Sequence, residues 1–229
     1  MLLRNMKGFI GRTITIGFLL LCMASQNSCT QQDDSTSYQI GDTINFAGVS
    51  SVVMNRIEVE NSIFVVTEDA YIYKSTGNDE WLSVVSPTDY SSLREVYGVG
   101  KKLYIIANDW IDTRAQRLYV FDVETSQYEF AMYIKNYHYA NNIFCAVQDR
   151  VGGQTNNAFY ATATTNNLIE INSTVSYNYV SDNIWVDDEN NIHFYVDISN
   201  AEKSPDVSSD THNMQEIIWS VEQSADIIK

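Results

Sequence analysis

After residue 37 the chain is a succession of short apolar runs, each ended by Asn, Asp, Ser or Gly, and no stretch keeps the 3.6-residue apolar period through three helical turns. A chain punctuated this way has no helical face to bury, so its core must come from strands, and the body is predicted to be all-β. Strands are expected at Ile63–Thr67, Tyr71–Lys74, Trp81–Val85, Glu95–Val99, Leu103–Ala107, Leu118–Asp122, Tyr128–Ile134, Ile143–Val147, Ala158–Ala163, Leu168–Ile171, Asn183–Val186, Ile192–Val196 and Ile217–Val221. Their β-branched and aromatic content suits a pleated surface. Between them, Gly100-Lys101-Lys102, Thr165-Asn166-Asn167 and Asp187 to Asn191 supply residues that accept positive φ, as tight connections require.

Stacking these runs exposes a repeat of turn, strand, turn, strand. It recurs at SIFVVTEDAYIYKS from Ser62, at KLYIIANDW with RLYVFDVETSQYEF from Lys102, at AFYATATTNNLIEIN from Ala158, and at NIHFYVDIS with EIIWSVE from Asn191. With Ile63, Leu103, Phe159 and Ile192 as equivalents the spacings are 40, 56 and 33; with Ile143 in place of Phe159 they are 40, 40 and 49. The Phe159 register keeps the strand, turn, strand pattern intact and is the one expected. The mean spacing, about 43 residues, matches a four-stranded propeller blade. The body therefore resembles the loosely repetitive β-propellers of secreted bacterial proteins, with DVETSQYEF (Asp122 to Phe130) and KSTGNDEW (Lys74 to Trp81) as outer hairpins. The resemblance implies a domain over residues 38–229 with about four to five blades, and Tyr38–Phe46 pairing with the last blade as a closing strand. A β-sandwich is the alternative.

The first 28 residues carry Arg4, Lys7 and Arg12, no acidic residue, and the apolar run Thr13–Ala24 (TITIGFLLLCMA), the layout of an export signal. That run is shorter than a membrane span and is broken by Gly17, so no transmembrane helix is expected in the mature chain. Ser28-Cys29 follows it and leads into Thr30-Gln31-Gln32-Asp33-Asp34-Ser35. Here the chain resembles a bacterial lipoprotein precursor of the Bacteroidetes type. The resemblance implies a signal peptide over 1–28, a lipidated Cys29 opening a polar tether over 29–37, and a place on the bacterial outer membrane facing outward. A periplasmic or secreted protein cut near Ala24 or Ser28 is the alternative. With Cys29 acylated and Cys22 removed, Cys145 has no cysteine to pair with, and its apolar setting reads as a buried small hydrophobe.

The net charge of -15 becomes -18 once the basic leader is set aside, and such a body repels phosphate backbones, which argues against nucleic-acid binding. No GxSxG, HExxH or phosphate-loop motif is present, and His138, His193 and His212 lack partners at metal-ligand spacing. No catalytic residue, metal or cofactor is therefore expected. His193 reads as a satisfied strand histidine and Asp187-Asp188-Glu189 as a solvated hairpin tip. Binding residues are sought where the second-to-third-strand loops swell: Trp110, Asp112 and Arg114 in one, Asp206, Asp210 and His212 in another. An indole among charged neighbours suits a sugar ring or a protein pocket. The expected function is a non-catalytic envelope lipoprotein binding an extracellular glycan or protein through these loops. The alternatives are a propeller-fold hydrolase or lyase, and a structural subunit of an envelope assembly whose part-ring another chain completes.

Overall fold

The computed structural model describes residues 39–77, 80–86, 92–108, 116–149, 156–165, 167–198 and 213–227. Every regular element among them is a strand. In chain order they are β1 (Thr43–Phe46), β2 (Val49–Val59), β3 (Ser62–Thr67), β4 (Ile72–Gly77), β5 (Glu80–Val85), β6 (Ser92–Val99), β7 (Lys102–Asn108), β8 (Gln116–Asp122), β9 (Gln127–Ala140), β10 (Ile143–Gln148), β11 (Ala158–Ala161), β12 (Ile169–Glu170), β13 (Tyr179–Val186), β14 (Asn191–Asp197), β15 (Met214–Ser220) and β16 (Ala225–Asp226). They form three antiparallel sheets: β1 to β5, β6 to β12, and β13 to β16, each strand bonded to its sequence neighbours.

The pairing divides these sheets into four meanders of four strands. The first is β2 to β5 and the last β13 to β16; the middle sheet holds two, because β9 pairs with β8 through Gln127–Ile134 and with β10 through Ile134–Ala140. One strand thus serves as the fourth of one meander and the first of the next, with an irregular register at the corner. Equivalent turns mark the frame. Val59↔Ser62, Val99↔Lys102 and Ala140↔Ile143 each close a two-residue turn whose first residue (Glu60, Gly100, Asn141) has φ of 53°, 58° and 53°. In the fourth meander Asp187 and Asn191 flank a three-residue loop with Asn190 at φ 65°.

This frame corrects the expected register. Ile63, Leu103, Ile143 and Ile192 all open second strands, whereas Phe159 lies on β11, the third strand of its meander. The error arises because β9 passes between two meanders without a loop, so no turn residue announces the boundary. The closing strand is corrected too. β1 pairs with β2, Phe46 opposite Val49, across Ala47-Gly48 with φ of 49° and 83°. A two-residue turn of that kind closes a local hairpin at small entropic cost.

Three apolar interfaces lie between successive meanders. Phe64, Val66 and Ile72 meet Leu103, Ile105 and Phe121 between the first and second. Tyr104, Ile106 and Leu118 meet Phe144 and Ala146 between the second and third, where the Tyr104 and Phe144 rings stack at 4.9 Å. Cys145, Val147 and Tyr160 meet Ile192, Phe194 and Trp219 between the third and fourth. The inner meanders are buried on both faces, which is why β7 and β10 read as unbroken apolar runs rather than alternating ones. Gly98 permits a close approach of the first strands β2 and β6: a Cβ there would lie 2.7 Å from Val59 Cγ2 and 2.9 Å from Ile57 Cγ2.

Candidate functional site

The residues singled out from sequence, Cys29, Trp110, Asp112, Arg114, Asp206, Asp210 and His212, lie outside the described residues. What is described is the strand ends that flank the two loops expected to bind, Asn108 opposite Gln116 and Asp197 opposite Met214. Both loops connect a second to a third strand, as the sequence reading required.

Four meanders stacked in series leave two end faces, and these differ. At the first end, Val65, Tyr73 and Trp81 point away from the second meander, yet they are 0%, 3% and 9% exposed. The sheet covers them itself: β1 and the bulged N-terminal half of β2 roll over so that Ile44 and Val53 pack on the same cluster, with Phe46 on the Tyr73 ring at 4.9 Å. At the other end, alternation sends Ile184, Ile192, Phe194 and Val196 into the third interface and Trp185, His193 and Tyr195 outward. These three stay partly exposed, and none belongs to any of the four apolar clusters.

The outward face is built by register. Trp185 lies opposite His193, and Tyr195 opposite Glu216. Cross-strand pairing stacks the Trp185 indole on the His193 ring (4.9 Å, 16°) and brings Tyr195 to 5.9 Å from the indole. Both His193 nitrogens meet carboxylates: Nε2 is 2.8 Å from Asp187 Oδ2 and Nδ1 is 2.9 Å from Glu216 Oε1. The carboxylates lie on opposite sides of the ring and do not converge on one point. Asp187 is further tied to the turn, its Oδ1 accepting from the Glu189 and Asn191 amides. Burial opposes its charge, but the bonds from His193 and Asn191 outweigh that and bring its pKa to about 2. The satisfied strand histidine expected from sequence is thus present, as is the hairpin tip, though Asp187 faces the sheet rather than solvent alone. Among the described residues no group of three or more His, Cys, Asp or Glu side chains could hold a metal ion.

Side chains join the first strands of the third and fourth meanders. His138 Nδ1 accepts from the Val186 amide at 3.2 Å, Asn141 donates to the Asp187 carbonyl, and Lys135 pairs with Asp182. Burial holds the His138 ring below the ordinary histidine pKa, consistent with a neutral acceptor. Cys145 is buried, its thiol pushed up by burial and donating to the His138 carbonyl, which agrees with its reading as a core hydrophobe. Near the turns of these meanders runs a groove of about 490 Å³, lined by Asn141, Asn142, Thr162, Thr164, Asn190 and Ser220 among others.

Sequence reading missed this outward face because it weighed His193 and Asp187 separately. The available signal was that Trp185, His193 and Tyr195 occupy the polar phase of strands whose other phase is wholly apolar.

No family model and no curated protein matches the chain. Among solved structures it is similar to YCF48 bound to a D1 peptide (12% identity, TM-score 0.36, 80% of this chain and 53% of that one). It is also similar to the N-terminal domain of Nup159 (11%, 0.41, 76% and 46%) and to a chain of a nidogen/laminin complex (10%, 0.35, 77% and 62%). The chain spans between about half and three-fifths of the length of these structures.

Proposed function

We propose that this chain is a non-catalytic envelope lipoprotein whose four meanders form an arc of propeller-like blades, and that it serves as a protein-binding structural subunit. One observation carries the reading: the first end of the stack is closed by its own sheet, while the fourth meander ends in a partly exposed aromatic face. Partly exposed aromatic side chains on the outer face of a sheet are a common form of interface. The test places a photo-crosslinking phenylalanine at Tyr195 or at Val49, an exposed residue at the closed end. A protein adduct from Tyr195 and not from Val49 is expected; equal yields, or none from Tyr195, contradict the reading.

The anchor rests on Ser28-Cys29 following the apolar leader. Cys29→Ala should move the protein from the detergent phase to the soluble fraction. Glycan capture is a second reading, favoured by the amide and hydroxyl lining of the groove beside Asn141 and Ser220. Titration with oligosaccharides tests it, with Trp110→Ala reporting on the expected loop face.

A further inference from the structure

We infer that the occupant of the fourth meander's outward face is a basic segment of a different protein, whose Arg or Lys side chains lie over Trp185 and Tyr195 and pair with Glu216 and the Asp187 turn. This deepens the reading above and rests on it.

The charge pattern selects the partner. The described residues of the fourth meander, 179–198 and 213–227, contain no Lys or Arg and eight Asp or Glu. Of the described cations, Lys135 reaches in from β9 and is already paired with Asp182 on β13. The outward face is thus aromatic and acidic, and a cation over an indole flanked by carboxylates gains from both.

The same features exclude a second copy. A two-fold contact through this face would set Asp187 and Glu216 of one copy against those of the other, which like-charge repulsion opposes. A head-to-tail contact would need the first meander's far face, and that face is filled by Ile44, Val53 and Phe46. The remaining occupant is another chain, complementary in charge.

Isothermal titration of the full chain with a short peptide of alternating Arg and Ser, beside its Glu–Ser and Gln–Ser counterparts, tests this. Only the Arg–Ser peptide should bind. Trp185→Ala and Glu216→Gln should each weaken it about tenfold, the size of a desolvated cation–π contact or charged hydrogen bond. Glu129→Gln, an exposed carboxylate on the second meander, should leave binding unchanged. Equal loss from Glu129→Gln would mean bulk attraction and overturn the inference, as would unchanged binding in both face variants with their melting curves intact. The crosslink separates the two readings. An adduct at Tyr195 to a neutral or acidic segment sinks the basic partner and keeps the protein-binding function, whereas no adduct together with no peptide binding sinks both.

Discussion

The two ends of the stack begin from the same material and finish differently. Each outward face is a strand phase rich in aromatics: Tyr71, Tyr73 and Trp81 at one end, Trp185 and Tyr195 at the other. At the first end the chain continues into β1 and a bulged β2, and the sheet curls until Tyr73 and Trp81 are buried and Tyr71 is partly covered. At the fourth end the aromatics are interleaved with His193, Asp187 and Glu216, whose hydrogen bonds satisfy the polar atoms without covering the rings. Aromatic content alone therefore does not mark an interface. What distinguishes the fourth end is that, among the described residues, no segment covers its rings, while their polar neighbours are hydrogen-bonded to one another.

The sharpest way to break this comparison is to truncate one aromatic at each end. Tyr73→Ala removes a ring that is 3% exposed and should cost about 3–4 kcal/mol, as large core deletions do. Trp185→Ala should cost less than about 1 kcal/mol, because the indole is only partly buried. Thermal unfolding of the two variants measures both, and comparable losses would erase the distinction between a closed and an open end.

A smaller effect is expected at Gly98, where the first meander presses on the second. Ala there must displace Val59 and Ile57, and strain of about 1–3 kcal/mol is expected in chemical denaturation. If Gly98→Ala is neutral, the packing that holds the closed end to the rest of the stack is looser than described.

The smallest effect concerns the hydrogen bonds behind the open face. The folded state holds His138 neutral, with its pKa below the ordinary 6.5. Its contribution is complete above that value and falls away as the pH drops through the lowered folded pKa. Wild-type protein should lose stability as the pH falls below 6.5 relative to His138→Gln, whose side chain does not titrate. Parallel pH profiles would contradict the role given to His138. Asp187 adds a separate step, present above 3.8 and lost as the pH falls toward about 2.

Legibility from sequence followed burial. Strands covered on both faces, such as Leu103–Ala107 and Ile143–Val147, are plain in the sequence because every residue in them is aliphatic, aromatic or a small hydrophobe. β2 was missed because Ser50, Ser51, Asn55 and Arg56 interrupt its apolar residues and Met54 sits at a register shift. The second half of β9 was missed because Asn136 and His138 spend their polar groups on the neighbouring meander, which reads as a loop until that neighbour is seen. A weaker repeat also escaped notice: Val123-Glu124-Thr125-Ser126 and Val221-Glu222-Gln223-Ser224 close equivalent third-to-fourth-strand hairpins, with Ser126 at φ 56° and Ser224 at 51°. The outward face needed the strand register, since no single residue in it is unusual.

Oxidative footprinting by hydroxyl radicals, read residue by residue by mass spectrometry, tests the closed and open ends within one molecule. Trp185 and Tyr195 should be modified readily in the isolated protein and protected once the Arg–Ser peptide is added, while Tyr73 and Trp81 stay unmodified throughout. Modification of Tyr73 and Trp81 at the rate of Trp185, or a Trp185 already protected without any partner, would contradict the account.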